Sequence, residues 1–258
     1  MKNPRSILIT GASSGIGEAL ALHYAAPGIT LFLHGRDSAR LSAVAQSCQQ
    51  KGAVANTHTG NVADAETLSE WIKACDAATP LELVIANAGV SAGSGQLGET
   101  AAQVRELFAV NIGGVVNTVH PALAGMVARG RGQVALIASL AGMRGLPSSP
   151  AYSASKACVR VYGEGLRGWL AGKGVEVNVV CPGYVRTRMT AVNDFPMPFI
   201  MNADKAARII ARGLQKNRSR IAFPLALFTP LWLLSCLSPS LTDWFFARLP
   251  AKPSLHSN

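Results

Sequence analysis

Residues 10–17 read TGASSGIG, from Thr10 to Gly17, and the reading of the chain turns on what stands on either side of them. Residues 7–10 are a short apolar run and residues 18–26 are rich in helix formers, so the segment predicts a strand, a glycine turn and a helix. Glycine adopts positive φ and carries no Cβ. Gly11, Gly15 and Gly17 therefore allow a tight turn at which the first amides of a helix, with their partial positive charge, face an anion. A strand-helix loop that merely needs glycine has the same spelling; the place of this turn at the first strand favours the phosphate-binding reading.

The pattern repeats outward from there. Residues 31–34 read as a second strand, and apolar runs at 81–86, 133–138 and 175–180 as further strands, with helical stretches at 65–75, 104–119 and 153–170 between them. Strands alternating with helices predict an α/β fold, a Rossmann-type, doubly wound parallel sheet in three αβα layers. No linker, low-complexity tract or fixed-period repeat interrupts the 258 residues, which fit a single domain. The one shift in composition follows Arg220, so the expected division is a binding and catalytic body over 1–220 and an apolar extension over 221–258.

The 24 Lys and Arg against 14 Asp and Glu leave a formal charge of +10, which suits nucleic acid, an anionic membrane face or a phosphorylated cofactor. No basic helix or aromatic platform supports nucleic acid as a partner. Cys48, Cys75, Cys158, Cys181 and Cys236 have no zinc-type spacing, so no metal site is expected and the thiols read as buried residues of a reducing compartment. The first residues, MKNPRSILITGASSG, hold too short an apolar stretch for a signal peptide, and the expected location is the cytoplasm.

Two further patterns carry chemistry. After the second strand the chain reads HGRD, with Arg36 where a dinucleotide-binding unit often has an acid for the ribose hydroxyl. Arginine there favours a 2'-phosphate, so NADP(H) is preferred over NAD(H); the alternatives are a solvated Arg36 paired with Asp37, or Asp37 itself in the acid's role. Tyr152 and Lys156, in YSASK, are four residues apart on a predicted helix and emerge on one face. A phenol titrates near ~10, and a nearby ammonium brings that value toward the working range of a proton-transfer group. Alone, such a pair is usually just a helix surface.

In order and spacing, TGASSGIG, NAG at Asn87, Ala88 and Gly89, Asn111, Ser139, YSASK and Pro182-Gly183 resemble the short-chain dehydrogenase/reductase superfamily over roughly residues 6–190. The resemblance implies hydride transfer between a nicotinamide cofactor and a small-molecule carbonyl or alcohol. It implies that Ser139 hydrogen-bonds the reacting oxygen, that Tyr152 exchanges the proton, and that Lys156 holds the nicotinamide ribose and lowers the Tyr152 pKa. Asn111 would complete a proton path to Lys156. The cofactor would lie on Gly11, Ser13, Ser14, Gly15, Ile16 and Gly17, with Arg36, Asn61 and Val62 around the adenosine. Asn87, Ala88 and Gly89 would approach its ribose, Tyr152 and Lys156 the nicotinamide ribose, and Pro182, Gly183, Val185 and Thr187 the nicotinamide. Asn61 departs from the family's usual aspartate but still offers a carbonyl acceptor for the adenine amino group. Family members commonly pair through the helices after Asn111 and around Tyr152, so a homo-oligomer is expected. A catalytically idle, dinucleotide-binding regulatory or membrane-surface protein is the competing reading, against which stands the complete set of Asn111, Ser139, Tyr152 and Lys156.

Beyond Arg220 the chain departs from the family's usual short ending. Residues 221–237, IAFPLALFTPLWLLSCL, carry no charge, and Pro224 and Pro230 interrupt them, so a clean membrane span is not expected. One expectation is a last strand at 221–223 followed by a buried helix, a substrate lid or a subunit contact. The other is peripheral contact of 221–250 with an anionic membrane at its inner face, helped by Lys216, Arg218, Arg220, Arg248 and Lys252. So apolar a lid favours a hydrophobic, lipid-like substrate, and Met189, Phe195 and Phe199 are expected to line its pocket.

Overall fold

Strands buried on both faces call for near-continuous apolar runs, and Ser6–Thr10 (β1), reading SILIT with Ile7, Leu8 and Ile9 between two hydroxyl side chains, is buried at all five positions. The computed structural model describes residues 3–94 and 98–248. After β1 come Gly15–Tyr24 (α1), Thr30–Gly35 (β2), Ser38–Gln50 (α2), Val54–Thr59 (β3), Ala65–Ala78 (α3) and Leu83–Ala86 (β4). Then follow Ala101–Phe108 (α4), a five-residue π-helical turn at Ala109–Gly113, Gly114–Ala128 (α5), Gly132–Ile137 (β5) and Pro150–Leu170 (α6). The chain continues through Val175–Pro182 (β6), Val185–Arg186 (β7), Arg188–Ala191 (α7), Met201–Asn202 (β8), Ala203–Gln215 (α8) and Arg220–Phe223 (β9) to Leu225–Ser235 (α9) and Pro239–Phe246 (α10).

Seven strands form one parallel sheet in the order β3-β2-β1-β4-β5-β6-β9, and β7 pairs with β8 beside it. Successive residues of a strand face opposite sides. Ile7 and Ile9 accordingly pack under α1, α2 and α8 with Leu20, Leu41 and Ile210, while Leu8 packs under α3, α5 and α6 with Ile72, Val119 and Val159. The expected three-layer, doubly wound Rossmann fold in a single domain is what the chain forms.

The elements not singled out in the sequence are α2, β3, β7, α7, β8, α8 and α10. The residues read as one helix at 104–119 are α4, the π-turn and the start of α5. Residues 221–223 belong to β9 and complete the sheet, where β9 pairs with β6. The apolar helix that remains, α9, has 11 residues, about 16 Å at 1.5 Å per residue against a hydrocarbon core of about 30 Å. A span built from the 221–237 run is therefore excluded.

Helix α6 carries Tyr152 and Lys156, and its distance from the sheet sets their depth. A Cβ on Gly163 would come within 2.6 Å of Val179 Cγ2 and 3.5 Å of the Leu136 methyls, so glycine is what lets the helix sit this close. Gly163→Ala is expected to lower stability by about 1–3 kcal/mol through overpacking, a drop of about 2–4 °C in Tm per kcal/mol, measured by thermal unfolding.

Candidate active site

The C-terminal ends of the parallel strands meet at one edge, where loops leave alternately for the two faces of the sheet and open a crevice. Gly11 and Gly15, at φ 68° and 63°, make the turn after β1. A Cβ on Gly11 would lie 2.8 Å from Ala88 Cα, and one on Gly17 would run into the Gly11 carbonyl. The Asn87 side chain donates from Nδ2 to the carbonyls of Thr10 (2.9 Å) and Gly11 (3.2 Å). Thr10 Oγ1 in turn accepts from the amides of Asn87 (3.2 Å) and Ala88 (3.3 Å). These bonds tie the glycine turn to the loop after β4. Ser14, the N-cap of α1, makes no side-chain cap bond, so the first amides of the helix face the crevice, an arrangement that takes a phosphate. The cradle fits a dinucleotide pyrophosphate.

One cavity of about 600 Å³ runs from this turn across the site. On its wall are Gly11, Ser13, Ser14, Gly15, Ile16, Arg36, Asn61, Val62, Asn87, Ala88, Gly89, Ser139, Tyr152, Lys156, Pro182, Gly183, Val185 and Thr187. Of the catalytic and cofactor-binding residues expected from sequence, Gly17 and Asn111 are the two that do not line it. Arg36 is exposed at the rim. Asp37 is engaged elsewhere: it caps α2 by accepting from the Arg40 amide (2.9 Å) and forms an ion pair with the Arg40 guanidinium (2.8 Å). The alternative of an Arg36–Asp37 pair is thus not what forms. Asn61 Oδ1 accepts from the Ala63 amide at 3.1 Å, which leaves the carbonyl's second lone pair for the adenine contact expected of it.

The catalytic candidates converge from three elements. Ser139 caps a short 3-10 turn after β5, accepting from the Ala141 amide at 3.1 Å. Lys156, 5% exposed, donates to the Ile137 carbonyl at 2.9 Å, with Nζ 5.9 Å from the centre of the Tyr152 ring. The Tyr152 hydroxyl is hydrogen-bonded to Ser139 and to Ser91. Burial pushes the phenol above its ordinary pKa; the bonds to Ser139 and Ser91 pull against it and nearby Tyr184 adds to it. Burial also lowers Lys156 to about 8. In this arrangement the pull against burial at the phenol comes from the Ser139 and Ser91 hydroxyls, with Lys156 Nζ turned to the Ile137 carbonyl.

Asn111, fully buried in the π-turn, accepts from the Val90 amide at 2.8 Å and donates to the Val90 carbonyl (2.9 Å) and to Ser155 Oγ (3.1 Å). Its side chain fixes the loop after β4 against α6. Thr187 makes a capping box with Thr190 at the start of α7, with its methyl against Gly15.

The sequence reading passed over two features. Ser91, two residues past the NAG motif, is the second partner of Tyr152. His34 forms part of the cavity floor, stacked 5.5 Å from His58 and beside Trp71, and burial lowers it to about 4. The far wall comes from the C-terminal helices, for which a substrate lid is one of the expectations: Leu227, Pro230, Leu231 and Leu234 of α9, and Phe245 and Phe246 of α10. Arg144 holds α10 through Asp243 (2.8 Å) and Thr242 (3.3 Å), its guanidinium 5.3 Å from the Phe246 ring centre. Opposite them stand Met189 and Phe195. Phe199, also expected on the wall, is 59% exposed instead, because its φ of 57° turns it outward.

A glycine cradle for a pyrophosphate, opening onto a buried serine, tyrosine and lysine, defines a dinucleotide-dependent oxidoreductase. The short-chain dehydrogenase family profile matches residues 5–195, and the chain belongs to that family. It is 38% identical over 246 residues to an uncharacterized oxidoreductase of Myxococcus xanthus, covering 95% of this chain and 97% of that one. A short-chain dehydrogenase from Sphingobium yanoikuyae in complex with NADPH superposes with a TM-score of 0.80 over 95% of this chain and 96% of that chain, at 24% identity. A 3-oxoacyl (acyl-carrier-protein) reductase from Agrobacterium tumefaciens with NADP bound superposes at 0.74, covering 84% and 92%, at 27% identity.

Between pH about 8 and 10.5 the unfolded chain keeps a proton on Lys156 that the folded protein has released, so folding is less penalised as pH rises through that window. Lys156→Met is therefore expected to be at least as stable as the parent near neutral pH, with its Tm advantage narrowing as pH is raised from about 8 toward 10.5. Thermal unfolding of both proteins across that range checks it; an advantage that widens contradicts the sign.

Proposed function

We propose that the protein is an NADP(H)-dependent reductase of a hydrophobic, lipid-like ketone or aldehyde. The observation that carries this is the single cavity that joins the glycine cradle and Arg36, through Ser139, Tyr152 and Lys156, to the apolar wall of α9 and α10. We read residues 1–220 as the catalytic body and 221–258 as an extension whose helices close the substrate end.

The bound dinucleotide would supply the hydride. Gly11, Gly15 and the first turn of α1 would hold its pyrophosphate, Arg36 a 2'-phosphate, and Lys156 the nicotinamide ribose. The Ser139 hydroxyl orients the substrate oxygen, and Tyr152 delivers its proton there as general acid. The raised pKa of the phenol keeps that proton in place until charge develops on the substrate oxygen, as a general acid requires. Leu227, Leu231 and Phe246 exclude water from the substrate side. Arg36 at the rim and the engagement of Asp37 with Arg40 support the preference for NADP(H), as does the NADP of the 27% identical reductase. That relative's 3-oxoacyl substrate is of the apolar class the wall suits.

Tyr152→Phe is expected to lower kcat by about 10²–10⁴ while NADPH still binds, read by turnover and by fluorescence titration. Retained turnover removes Tyr152 as the acid, and NADPH binding without turnover on any carbonyl favours the idle, binding-only reading. Arg36→Ala is expected to weaken NADPH at least tenfold and leave NADH unchanged, since a charged hydrogen bond is worth about 1.5–3 kcal/mol; equal weakening of both cofactors overturns the 2'-phosphate assignment. Across a homologous series of ketones, kcat/KM is expected to rise with chain length, and turnover confined to small hydrophilic carbonyls contradicts the substrate class.

A further inference from the structure

The two C-terminal helices are apolar on both sides. Helix α9, LALFTPLWLLS, has no charged residue and no fully buried one; its inner side faces the cavity, and its outer side presents Leu225 (68% exposed), Trp232 (44%) and Leu233 (54%). Helix α10 adds Leu241 (63%), Trp244 (65%) and Phe245 (44%). Scattered exposed leucines are ordinary, but six large apolar side chains exposed on two successive helices that wall the same cavity mark a contact surface, and a helix apolar all round is ordinarily enclosed. Phe245 both lines the cavity and is exposed, so the mouth of the cavity opens on this same face.

We propose that the outer face of α9 and α10 docks on the surface of a lipid bilayer with anionic headgroups. Charge decides between this occupant and a second copy of the chain. Within 225–246 the only carboxylate is Asp243, already paired with Arg144 at 2.8 Å. Arg248 stands exposed at the edge, its guanidinium 5.2 Å from the Trp244 ring centre, and the whole chain carries +10. An anionic surface attracts such a molecule, whereas a second copy brings the same charge to the contact. Lys216 and Arg218, which the sequence places beside the apolar run, precede β9 and lie at the end of the sheet away from the cavity, so they add nothing to this face. At 11 residues α9 lies along the surface rather than across it, with Trp232 and Trp244 at headgroup level, where tryptophan collects. The docking stands independently of the reductase reading; that the substrate enters from the bilayer through this mouth rests on it.

The test is cosedimentation of the full chain, loaded with NADPH, with vesicles of phosphatidylcholine alone and of phosphatidylcholine with phosphatidylglycerol, alongside quenching of its tryptophan emission by brominated lipid. The variant Leu225→Gln, Leu233→Gln, Leu241→Gln keeps both tryptophans and every residue of the cofactor cradle. Binding to the anionic vesicles at least tenfold above the neutral ones, quenching by brominated lipid, and a tenfold or greater loss of both in the variant with unchanged NADPH affinity support the proposal. Absence of vesicle binding at low salt overturns it, and so does a dimer that the variant dissociates while neither protein binds vesicles. Vesicle binding without turnover on any carbonyl supports the docking and sinks the reductase reading. Slower turnover by the variant on a vesicle-borne long-chain ketone, with a small soluble aldehyde unaffected, supports entry through the mouth; equal loss on both overturns it.

Discussion

Burial of the Lys156 amine is the constraint around which this site is arranged. A charge taken out of water is penalised heavily unless it is paired or gives up its proton, and Lys156 has the Ile137 carbonyl as its hydrogen-bond partner and, among the described residues, no ion pair. The fold holds it there by close backbone approach. Gly142 lets the turn after Ser139 rest on the Lys156 backbone, since a Cβ there would come within 2.6 Å of the Lys156 carbonyl carbon, and Gly163 lets the same helix lie against β6. Gly89 opens the other side, where a Cβ would stand 3.4 Å from Nζ. The lowered pKa of Lys156 is thus produced by packing, at a cost in stability that a structural lysine would not carry; such costs collect where function requires them.

The cofactor end obeys a different rule. There the glycine turn holds its shape through backbone hydrogen bonds, and the Asn87 and Thr10 side chains stitch two loops that lie 77 residues apart in sequence. Tyr152 stands where the two ends meet, with its hydroxyl between Ser91 and Ser139. Those two hydroxyls pull against the rise that burial gives its pKa, while Lys156 Nζ lies 5.9 Å from the ring centre.

Much of this was legible in the sequence because the buried strands have no choice of composition. Central strands such as SILIT and QVALI are apolar through their middles, with polar side chains only at their ends, and the glycine positions must be free of side chains. β3 escaped because it is an edge strand reading VANTHT, exposed at four of its six positions, so no apolar run marks it. Helix α8 was readable in principle from Ala206, Ala207, Ile210, Ala211 and Leu214, which recur at helical spacing, but alanine is a weak marker of a buried face. The motif residues landed on one cavity wall because their spacing is fixed by strand ends. Phe199 did not, because a left-handed backbone decides its direction and sequence composition does not. Ser91 and His34 carry no local signature: a serine after a motif and a histidine in a strand acquire meaning only from what the fold brings to face them.

The C-terminal segment shows how one apolar stretch divides its tasks. Its first residues are claimed by the sheet as β9, and Leu227, Phe228 and Leu231 then pack α9 against the core. Helix α10 is held mainly by Phe246, 2% exposed, whose burial contributes about 1.5–3 kcal/mol. The Arg144–Asp243 pair, with its carboxylate 66% exposed, adds no more than about 1 kcal/mol. Attachment at one ring and one solvated ion pair places α10 at the low end of the stability range within the molecule, where local opening is least costly. The same two helices thus carry the apolar wall of the cavity on one side and the exposed leucines and tryptophans on the other, a division set by which side of each helix the core claims first.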